Sequence, residues 1–243
     1  MAVIDLHAHI LPGADHGSDS AETSLLQLSY AARVGVEGIV ATPHFYPHLH
    51  AVAEFSARRA ESCAVLQRAV KDTPSLSPLP TVRLGAEVLL CRGIEHLEGL
   101  SELCFQGTRT LMLELPFNEF SLEFCDAIDA LRSRGYQIIL AHADRYAEKN
   151  IEETLAAGAL LQLNACSLTG FLHRRRLFDW VDRELVVALG SDIHGENATV
   201  YRDFLRARRV LGTAWRQIEE CSDALFSSMA EPTEPACAPQ SAV

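Results

Sequence analysis

Long apolar runs and an excess of positive charge are both missing from this sequence. No stretch of the 243 residues approaches the roughly 18 apolar residues that a membrane-spanning helix needs. The opening, MAVIDLH, lacks the basic and apolar regions of a signal peptide. Lysine and arginine number 21 against 32 aspartates and glutamates, a formal net charge of −11. Because an acidic surface repels nucleic-acid phosphates, we expect a cytoplasmic protein without stable membrane insertion and without a nucleic-acid partner.

Cysteine pairs with the spacing of a zinc finger or a redox site are also missing. The seven cysteines are odd in number and include no Cys-x-x-Cys, which excludes a disulfide framework and a cysteine-rich zinc site. None is followed by arginine six residues later, so the Cys-x5-Arg loop of a cysteine phosphatase is absent as well. We therefore expect thiols that pack as small apolar residues, and no cysteine nucleophile.

Short aliphatic runs alternate with segments whose apolar residues have helical spacing. The predicted strands are 3–7, 38–42, 82–88, 110–115, 136–141, 159–164 and 185–190. This alternation implies parallel strands with crossover helices, the α/β class. Seven such units favour a closed or nearly closed barrel over the alternative, an open sheet. The length and the 48% of hydrophobic residues fit a single domain over residues 1–228, and the Pro/Ala-rich segment 229–243 is predicted to be disordered.

Histidines and carboxylates gather at the carboxyl ends of the predicted strands. In a parallel barrel all these ends open on the same face, where active sites form. His7 and His9 end the first strand, and residues two apart on a strand point to the same side. The candidate metal ligands are His7, His9, His16, His44, Glu87, Glu114, His142, Asp192 and His194.

Imidazole and carboxylate ligands suit zinc, manganese and iron. Nine ligands exceed what one ion takes, so they predict two or three ions with a bridging glutamate. Bridged ions lower the pKa of bound water to about 7 and clamp both oxygens of an in-line displacement, which is phosphoester chemistry. Amide hydrolysis on a barrel that opens with His-x-His is the alternative, but those sites often use a carbamylated lysine. The two lysines, Lys71 and Lys149, lie in predicted helices, away from the strand ends.

Six motifs carry a resemblance to a known family. DLHAHILPG, VATPHF, GAEV, ELPF, LAHADRY and GSDIHG, in this order over residues 3–210, resemble the polymerase and histidinol phosphatase (PHP) superfamily. Within it they are most similar to the manganese-dependent protein-tyrosine phosphatases of the CpsB/YwqE type, which belong to capsule and exopolysaccharide synthesis. The resemblance implies a distorted (β/α)7 barrel of TIM-like form and a trinuclear site. Mn²⁺ is the implied metal, with Fe or Zn as alternatives.

The resemblance also implies a distribution of the ligands over the ions. The first ion would take His7, His9, Glu87 and Asp192, the second Glu87, Glu114 and His142, and the third His16, His44 and His194. Glu114 is typical of the tyrosine-phosphatase branch, since many PHP proteins have histidine at that position.

Two positions depart from the branch. It usually reads Asp-Asp-Gly where this chain has Asp15-His16-Gly17, so His16 takes a ligand position and is expected to alter metal preference or protonation of the leaving group. Asp15 or a metal-bound water is the candidate acid. Thr199 stands where the branch tends to have an arginine after the SDxH histidine, and Arg202 follows three residues later.

Arg145, in LAHADRY, matches an arginine of the branch. Its forked guanidinium is expected to hold phosphate oxygens, and the alternative is a salt bridge to Asp144 or Glu148. Phe45 and Tyr46 are candidates for stacking on a substrate ring, with core packing as the alternative. The run 174–176, three arginines, is expected to be a solvated helix face, and the alternative is a patch that meets an acidic phosphopeptide.

The predicted function is therefore a metal-dependent phosphoesterase. A protein-tyrosine phosphatase is favoured, acting through a metal-activated hydroxide on a phosphotyrosine protein such as a bacterial tyrosine kinase of capsule synthesis. One alternative is a small-molecule phosphatase that hydrolyses histidinol phosphate or a nucleotide. The other is a regulator that holds metal without catalysis.

Overall fold

Parallel strands alternate with helices in the computed structural model, which describes residues 2–74, 78–117, 119–170 and 174–232. The strands of the described residues are β1 (Val3–Ala8), β2 (Val36–Ala41), β3 (His44–Phe45), β4 (Thr81–Leu84), β5 (Glu87–Leu89), β6 (Thr110–Glu114), β7 (Gln137–Leu140), β8 (Leu160–Asn164) and β9 (Val186–Gly190). The helices are α1 (Ala21–Arg33), α2 (Val52–Asp72), α3 (Glu123–Ser133), α4 (Glu148–Ala156), α5 (Arg174–Asp182), α6 (Thr199–Leu211) and α7 (Ala214–Ser228). In this part of the chain, no helix has the length and apolarity to cross a bilayer.

The strands form two sheets in which every pair is parallel. One has the order β1-β2-β4 and the other β3-β5-β6-β7-β8-β9. The α/β class with parallel strands is therefore confirmed. The two sheets come together where the chain passes from β2 to β3 and from β4 to β5, and we call this boundary the seam.

Two predicted strands are each divided at the seam. The run 38–42 ends as a strand at Ala41 and resumes at His44, because Pro43 has no N–H to donate to a ladder. The run 82–88 is interrupted at Gly85, where an added Cβ would lie 2.7 Å from the ring of Phe105. The prediction of one continuous strand is wrong in both places. The chain changes sheet at these points, so His44 and Glu87 are the first residues on the far side of the seam.

The first and last strands meet at their carboxyl ends. The amide of Asp192 donates to the carbonyl of His7 at 2.8 Å, and the amide of His9 donates to the carbonyl of Ile193 at 3.3 Å. These bonds place the residues that follow β9 directly beside the end of β1.

Buried apolar side chains form two separate clusters. The larger lies between the sheets and the helices and includes Phe55, Ile128 and Trp180. The smaller combines side chains of both sheets with Phe105 and the end of α7; its members are Ile4, Leu6, Val40, Phe105, Met112, Ile139, Ala141, Ala188, Phe226 and Met229. Full burial of each large apolar side chain contributes about 1.5–3 kcal/mol.

The end of α7 is held against the smaller cluster by the backbone. The guanidinium of Arg83 donates to the carbonyls of Phe226, at 2.7 Å, and of Met229. The amide of Ala230 donates to the carbonyl of Gln106 at 2.8 Å. Residues 229–232 of the segment predicted to be disordered are thus described, while 233–243 lie outside the described residues.

Candidate metal centre

The nine candidate ligands lie in one cluster, formed at the carboxyl ends of β1, β6, β7 and β9 and at the seam. His7 and His9 end β1, His44 and Glu87 begin β3 and β5, and Glu114 ends β6. His142 follows β7, Asp192 and His194 follow β9, and His16 lies in the loop after β1. The topology therefore brings together residues that are up to 187 positions apart, from 7 to 194.

Glu87 is at the middle of this cluster and is 1% exposed. Its Oε2 lies 3.2 Å from Nε2 of His7, 3.1 Å from Nε2 of His9 and 3.0 Å from Nδ1 of His44. Its Oε1 lies 2.6 Å from Nε2 of His142. Burial would raise the pKa of Glu87, but the charge of His7 and the hydrogen bond from His142 hold it well below its ordinary value. A carboxylate that reaches four imidazoles has the position of a bridging ligand.

Hydrogen bonds at Nδ1 orient the imidazole rings of His7 and His9 on β1. Nδ1 of His7 lies 3.0 Å from Oε1 of Gln162, and Nδ1 of His9 lies 2.7 Å from Oδ2 of Asp15. Because both partners are acceptors, each Nδ1 carries a proton, and Nε2 is left as the ligand atom. The two Nε2 atoms face each other at 3.1 Å.

Tyr146 orients His142 in the same way. Its hydroxyl donates to the carbonyl of Leu115 at 3.0 Å, which leaves only its lone pairs for Nδ1 of His142 at 3.2 Å. Nδ1 of His142 is therefore the protonated nitrogen. The opposite nitrogen, Nε2, faces Oε1 of Glu87 and lies 3.5 Å from Oε1 of Glu114.

Two further imidazoles have a buried nitrogen with no hydrogen-bond partner among the described residues. Nδ1 of His194 lies 3.1 Å from the carbonyl oxygen of Asp192, and its Nε2 is the unpartnered atom. In His44 the unpartnered atom is Nδ1, which faces Glu87 without hydrogen-bond geometry. Leaving such an atom unsatisfied costs roughly 1–3 kcal/mol, which a ligand at the nitrogen would offset.

These nitrogens fit a group of divalent cations. Lone pairs that face each other or a carboxylate at about 3 Å repel unless a proton or a metal ion lies between them. Burial would lower the pKa of His9, but hydrogen bonds to Asp15 and Glu87 and their charges raise it to about 10. The surrounding charge therefore favours positive charge at this position, and a divalent ion supplies it.

Within the described part of the chain, three groups of ligand atoms are close enough for an ion, each with all its atoms within 4.8 Å of one another. The groups are His7, His9 and Glu87; His44, Glu87 and Glu114; and His9, His44 and His194. The first group contains three of the four residues expected to share an ion, and Oδ1 of the fourth, Asp192, lies 3.5 Å from Nε2 of His9. The second group contains His44 where the expected set has His142, and the third contains His9 where the expected set has His16.

His16 lies beside these groups and is exposed. Its ring stacks on that of His44, with centroids 4.9 Å apart, and on that of His194 at 4.7 Å. The assignment of His16 as a ligand stays a prediction.

Asp15 has both carboxylate oxygens occupied. Oδ1 accepts from the amide of Gly17 at 2.8 Å, and Oδ2 accepts from the ring of His9 and from the amide of His44 at 3.0 Å. Burial would raise its pKa, but His9 and the two amides hold it well below the ordinary value. An ionised carboxylate has no proton to give, so this geometry supports a role for Asp15 in orienting His9.

Arg145 pairs with neither Asp144 nor Glu148 in the described residues. Its Nη2 contacts Oδ2 of Asp192, which also accepts from Nδ2 of Asn164 at 3.1 Å. Burial would raise the pKa of Asp192, but His7 and the guanidinium of Arg145 lower it to about 2. The side chain of Arg145 is 45% exposed, so part of this positive charge is accessible from solvent beside Asp192.

The backbone is strained at two residues of the centre. His142 has φ of 34° and Asp192 has φ of 50°, a left-handed conformation that is uncommon for residues other than glycine. Such residues cost of order 1–3 kcal/mol each and cluster at functional sites. At Gly17, an added Cβ would lie 2.0 Å from Cβ of His9, so only glycine lets this loop approach the end of β1.

Sequence reasoning missed two buried glutamines. Oε1 of Gln162 accepts from the amide of His142 at 2.6 Å as well as contacting His7, and its Nε2 donates to Asn164 at 3.1 Å. Nε2 of Gln27 donates to the carbonyl of Gly195 at 2.9 Å and so ties α1 to the loop after β9. The available signal was a polar side chain within an otherwise apolar strand or helix face.

Contacts within the protein bear on three other residues. Phe45 is buried and packs edge-on against Phe55 at 5.2 Å, which confirms core packing. The ring of Tyr46 stacks on that of His44 at 5.4 Å. Arg176 does not belong to a solvated face, because its guanidinium donates to the carbonyls of Asp144 and Tyr146.

The cysteines of the described residues are all free, as expected. Burial raises the pKa of Cys63 and of Cys104 to about 11. Such thiols are poor nucleophiles, and Cys237 lies outside the described residues.

The sequence of the chain is similar to those of known tyrosine-protein phosphatases. The chain is 27% identical to the tyrosine-protein phosphatase YwqE of Bacillus subtilis over 201 residues, 79% of this chain and 77% of the relative. It is 24% identical to the tyrosine-protein phosphatase CpsB of Streptococcus pneumoniae over 207 residues, 79% of this chain and 83% of the relative.

A solved structure has the same fold. It is described as that of unique metal-dependent tyrosine phosphatases, YwqE and CpsB, and matches with a TM-score of 0.74 at 23% identity, over 97% of this chain and 100% of the other. The family model for capsular polysaccharide synthesis, CpsB/CapC, matches residues 3–210. The chain therefore belongs to the CpsB/CapC family.

Proposed function

We propose that the protein is a metal-dependent phosphoesterase, and specifically a protein-tyrosine phosphatase of capsule or exopolysaccharide synthesis. The observation that carries the proposal is Glu87, whose two oxygens lie 2.6–3.2 Å from the nitrogens of four imidazoles. The names of the relatives YwqE and CpsB, both tyrosine-protein phosphatases, support the choice of substrate. A phosphotyrosine-bearing protein, such as a bacterial tyrosine kinase, is the proposed partner.

Two or three Mn²⁺ ions are the proposed cofactor, with Fe or Zn as alternatives. The residues proposed to hold them are His7, His9, His16, His44, Glu87, Glu114, His142, Asp192 and His194. When bound, such ions lower the pKa of water to about 7 and offset the charge of a phosphoryl group.

The remaining polar residues bind, orient and move protons. The guanidinium of Arg145, which is half-exposed beside Asp192, is proposed to hold phosphate oxygens through paired N–H donors. Asp15 holds the ring of His9, and Tyr146 holds the ring of His142. His16 is the exposed imidazole of the cluster, and an imidazole is able to donate a proton to the leaving tyrosyl oxygen.

We also propose that the two sheets surround the smaller apolar cluster as a distorted (β/α)7 barrel. Each seam crossing adds a short strand to an existing β/α unit, so the nine strands still make seven units. The hydrogen bonds between the ends of β1 and β9 and a cluster drawn from both sheets support this arrangement. The bounds of the domain, 1–228, and of the tail, 229–243, belong to the same proposal.

Phosphate release from a phosphotyrosyl peptide tests the function. The protein purified and loaded with Mn²⁺ is expected to hydrolyse the peptide, and H7A and D192A are expected to lose at least about a hundredfold in kcat/KM, as loss of a ligand does. A loss below tenfold in both variants would reject the mechanism. Higher kcat/KM on histidinol phosphate or a nucleotide would favour the small-molecule alternative, and metal binding without turnover of any phosphoester would favour the regulator.

A further inference from the structure

A cavity of about 220 Å³ opens beside the metal centre, on the side of Arg145. Its walls combine apolar and aromatic residues with three polar ones; they include Pro116, Phe117, Phe120 and Tyr146, and the polar residues are Glu119, Arg145 and Asn150. We call it the ring pocket. An apolar cavity of about 150 Å³ is large enough to bind benzene, so this volume holds one aromatic ring.

The ring pocket shares two walls with the metal centre. Arg145 contacts Oδ2 of Asp192 on one side and lines the pocket on the other. Tyr146 also lines the pocket, and its hydroxyl lies 3.2 Å from Nδ1 of His142. A substrate group bound in the ring pocket would therefore lie next to a phosphoryl group held by Arg145.

Phe117 marks the outer edge of the pocket. Its residue is 80% exposed, the largest exposed fraction among the large hydrophobic residues of the described chain. It comes three residues after Glu114, at the end of β6. An exposed phenyl ring forgoes the free energy of burial, and a ring that entered the pocket would recover part of it.

The ring of Tyr46, the other aromatic residue considered for substrate stacking, already has a ring contact within the protein. Tyr46 does not line the pocket, and its ring is stacked on that of His44 at an interplanar angle of 15°. Arg145 and Phe117 are both more exposed than Tyr46. A cationic guanidinium beside an exposed phenyl ring suits a flat, electron-rich ring carrying an anionic group.

We propose that the ring pocket receives the aromatic ring of the phosphotyrosyl substrate, and that Phe117 determines the preference for aromatic over alkyl phosphates. The inference rests on the proposed function, because it assumes that the phosphoryl group lies on the metal ions beside Arg145. A ring joined to phosphorus by a single oxygen has to occupy a space adjacent to that position, and the pocket is such a space.

Two phosphonates test the pocket without turnover. Phenylphosphonate and methylphosphonate carry the same anionic group, differ by the ring, and contain no ester bond to hydrolyse. Calorimetric titration of the Mn²⁺-loaded protein is expected to show about tenfold tighter binding of the phenyl compound, the size of one favourable ring contact. F117A is expected to bind both with similar affinity. L122A removes a side chain that is 63% exposed and does not line the pocket, and it is expected to keep the preference.

The outcomes separate this inference from the proposed function. A preference for the phenyl compound that survives in F117A, or that disappears in Y46A instead, overturns the ring pocket.

Kinetics give a second readout, since F117A is expected to lower kcat/KM for a phosphotyrosyl peptide about tenfold and to leave kcat/KM for a phosphoseryl peptide of the same sequence unchanged. Equal losses on both peptides also overturn it. Ring-dependent phosphonate binding without hydrolysis of either peptide would reject the phosphatase and retain the pocket.

Discussion

Arg176 donates a hydrogen bond of 2.6 Å from Nη2 to the carbonyl oxygen of Asp144. The same guanidinium donates from Nη1 to the carbonyl of Tyr146 at 2.9 Å. The two carbonyls belong to the residues on either side of Arg145. One arginine, on α5, therefore holds the turn that presents another arginine to the metal centre.

R176A is expected to lower kcat/KM for a phosphotyrosyl peptide about tenfold, because loss of the two hydrogen bonds from its guanidinium lets the turn that positions Arg145 shift. In an R145A background the same change is expected to cost less than about twofold, since Arg176 acts by positioning Arg145. R175A, which removes an exposed neighbour, is the matched control. Equal losses from R176A in both backgrounds would show that its role is structural only.

Q162L is expected to weaken metal binding. It removes the acceptor for Nδ1 of His7 and for the amide of His142, and loss of such an orienting partner typically costs 10–100-fold in metal affinity. Competition with a fluorescent chelator measures the change. Q137L removes an exposed glutamine at the start of β7 and is expected to bind metal as the wild type does. Equal affinity in Q162L and the wild type would contradict the role of Gln162.

G17A is expected to destabilise the protein by about 1–3 kcal/mol, as overpacking of a filled site does. The added Cβ would lie 2.0 Å from Cβ and 2.6 Å from the carbonyl oxygen of His9, neither of which can rotate away. The matched control is G170A, where the nearest atom is 3.7 Å away and φ is −81°. Thermal melting compares the two variants, and unchanged stability of G17A would show that the loop moves freely.

Metal loading is expected to stabilise the fold. At a hundred times the dissociation constant, binding to the native state alone adds about 2.7 kcal/mol, which for a chain of this length raises Tm by about 5–10 °C. Melting in Mn²⁺ and in EDTA measures the difference. E87Q removes the shared carboxylate and is expected to lose most of the shift, while E148Q, at an exposed position, keeps it. A shift of equal size in E87Q would place the ions elsewhere.

Alkylation of the cysteines is expected to leave activity intact. Burial raises the pKa of Cys63 and Cys104 to about 11, so little thiolate is present near neutral pH, and no described cysteine belongs to the centre. Phosphate release before and after iodoacetamide tests this, with EDTA as the inactivating control. Inactivation that follows the extent of alkylation would contradict it.

The strands and the ligand types could be predicted from the sequence, because buried parallel strands are continuous apolar runs and their carboxyl ends share one face. The division of two strands could not, since an apolar run looks the same whether it pairs with one sheet or with two. Pro43 and Gly85 were the only local signals. The distribution of ligands was predictable only by resemblance, because it depends on distances between side chains from different strands. His9 reaches two groups of ligand atoms for this reason.

The left-handed backbone at His142 and Asp192 shows where chemistry and stability are in conflict. A chain selected for stability alone would have glycine or asparagine at both positions, since either adopts positive φ at lower cost. Neither offers the charge or the imidazole that the centre needs. We therefore expect the most stable sequences for this backbone to be inactive ones, and any screen for thermal stability that ignores turnover to select against these two residues first.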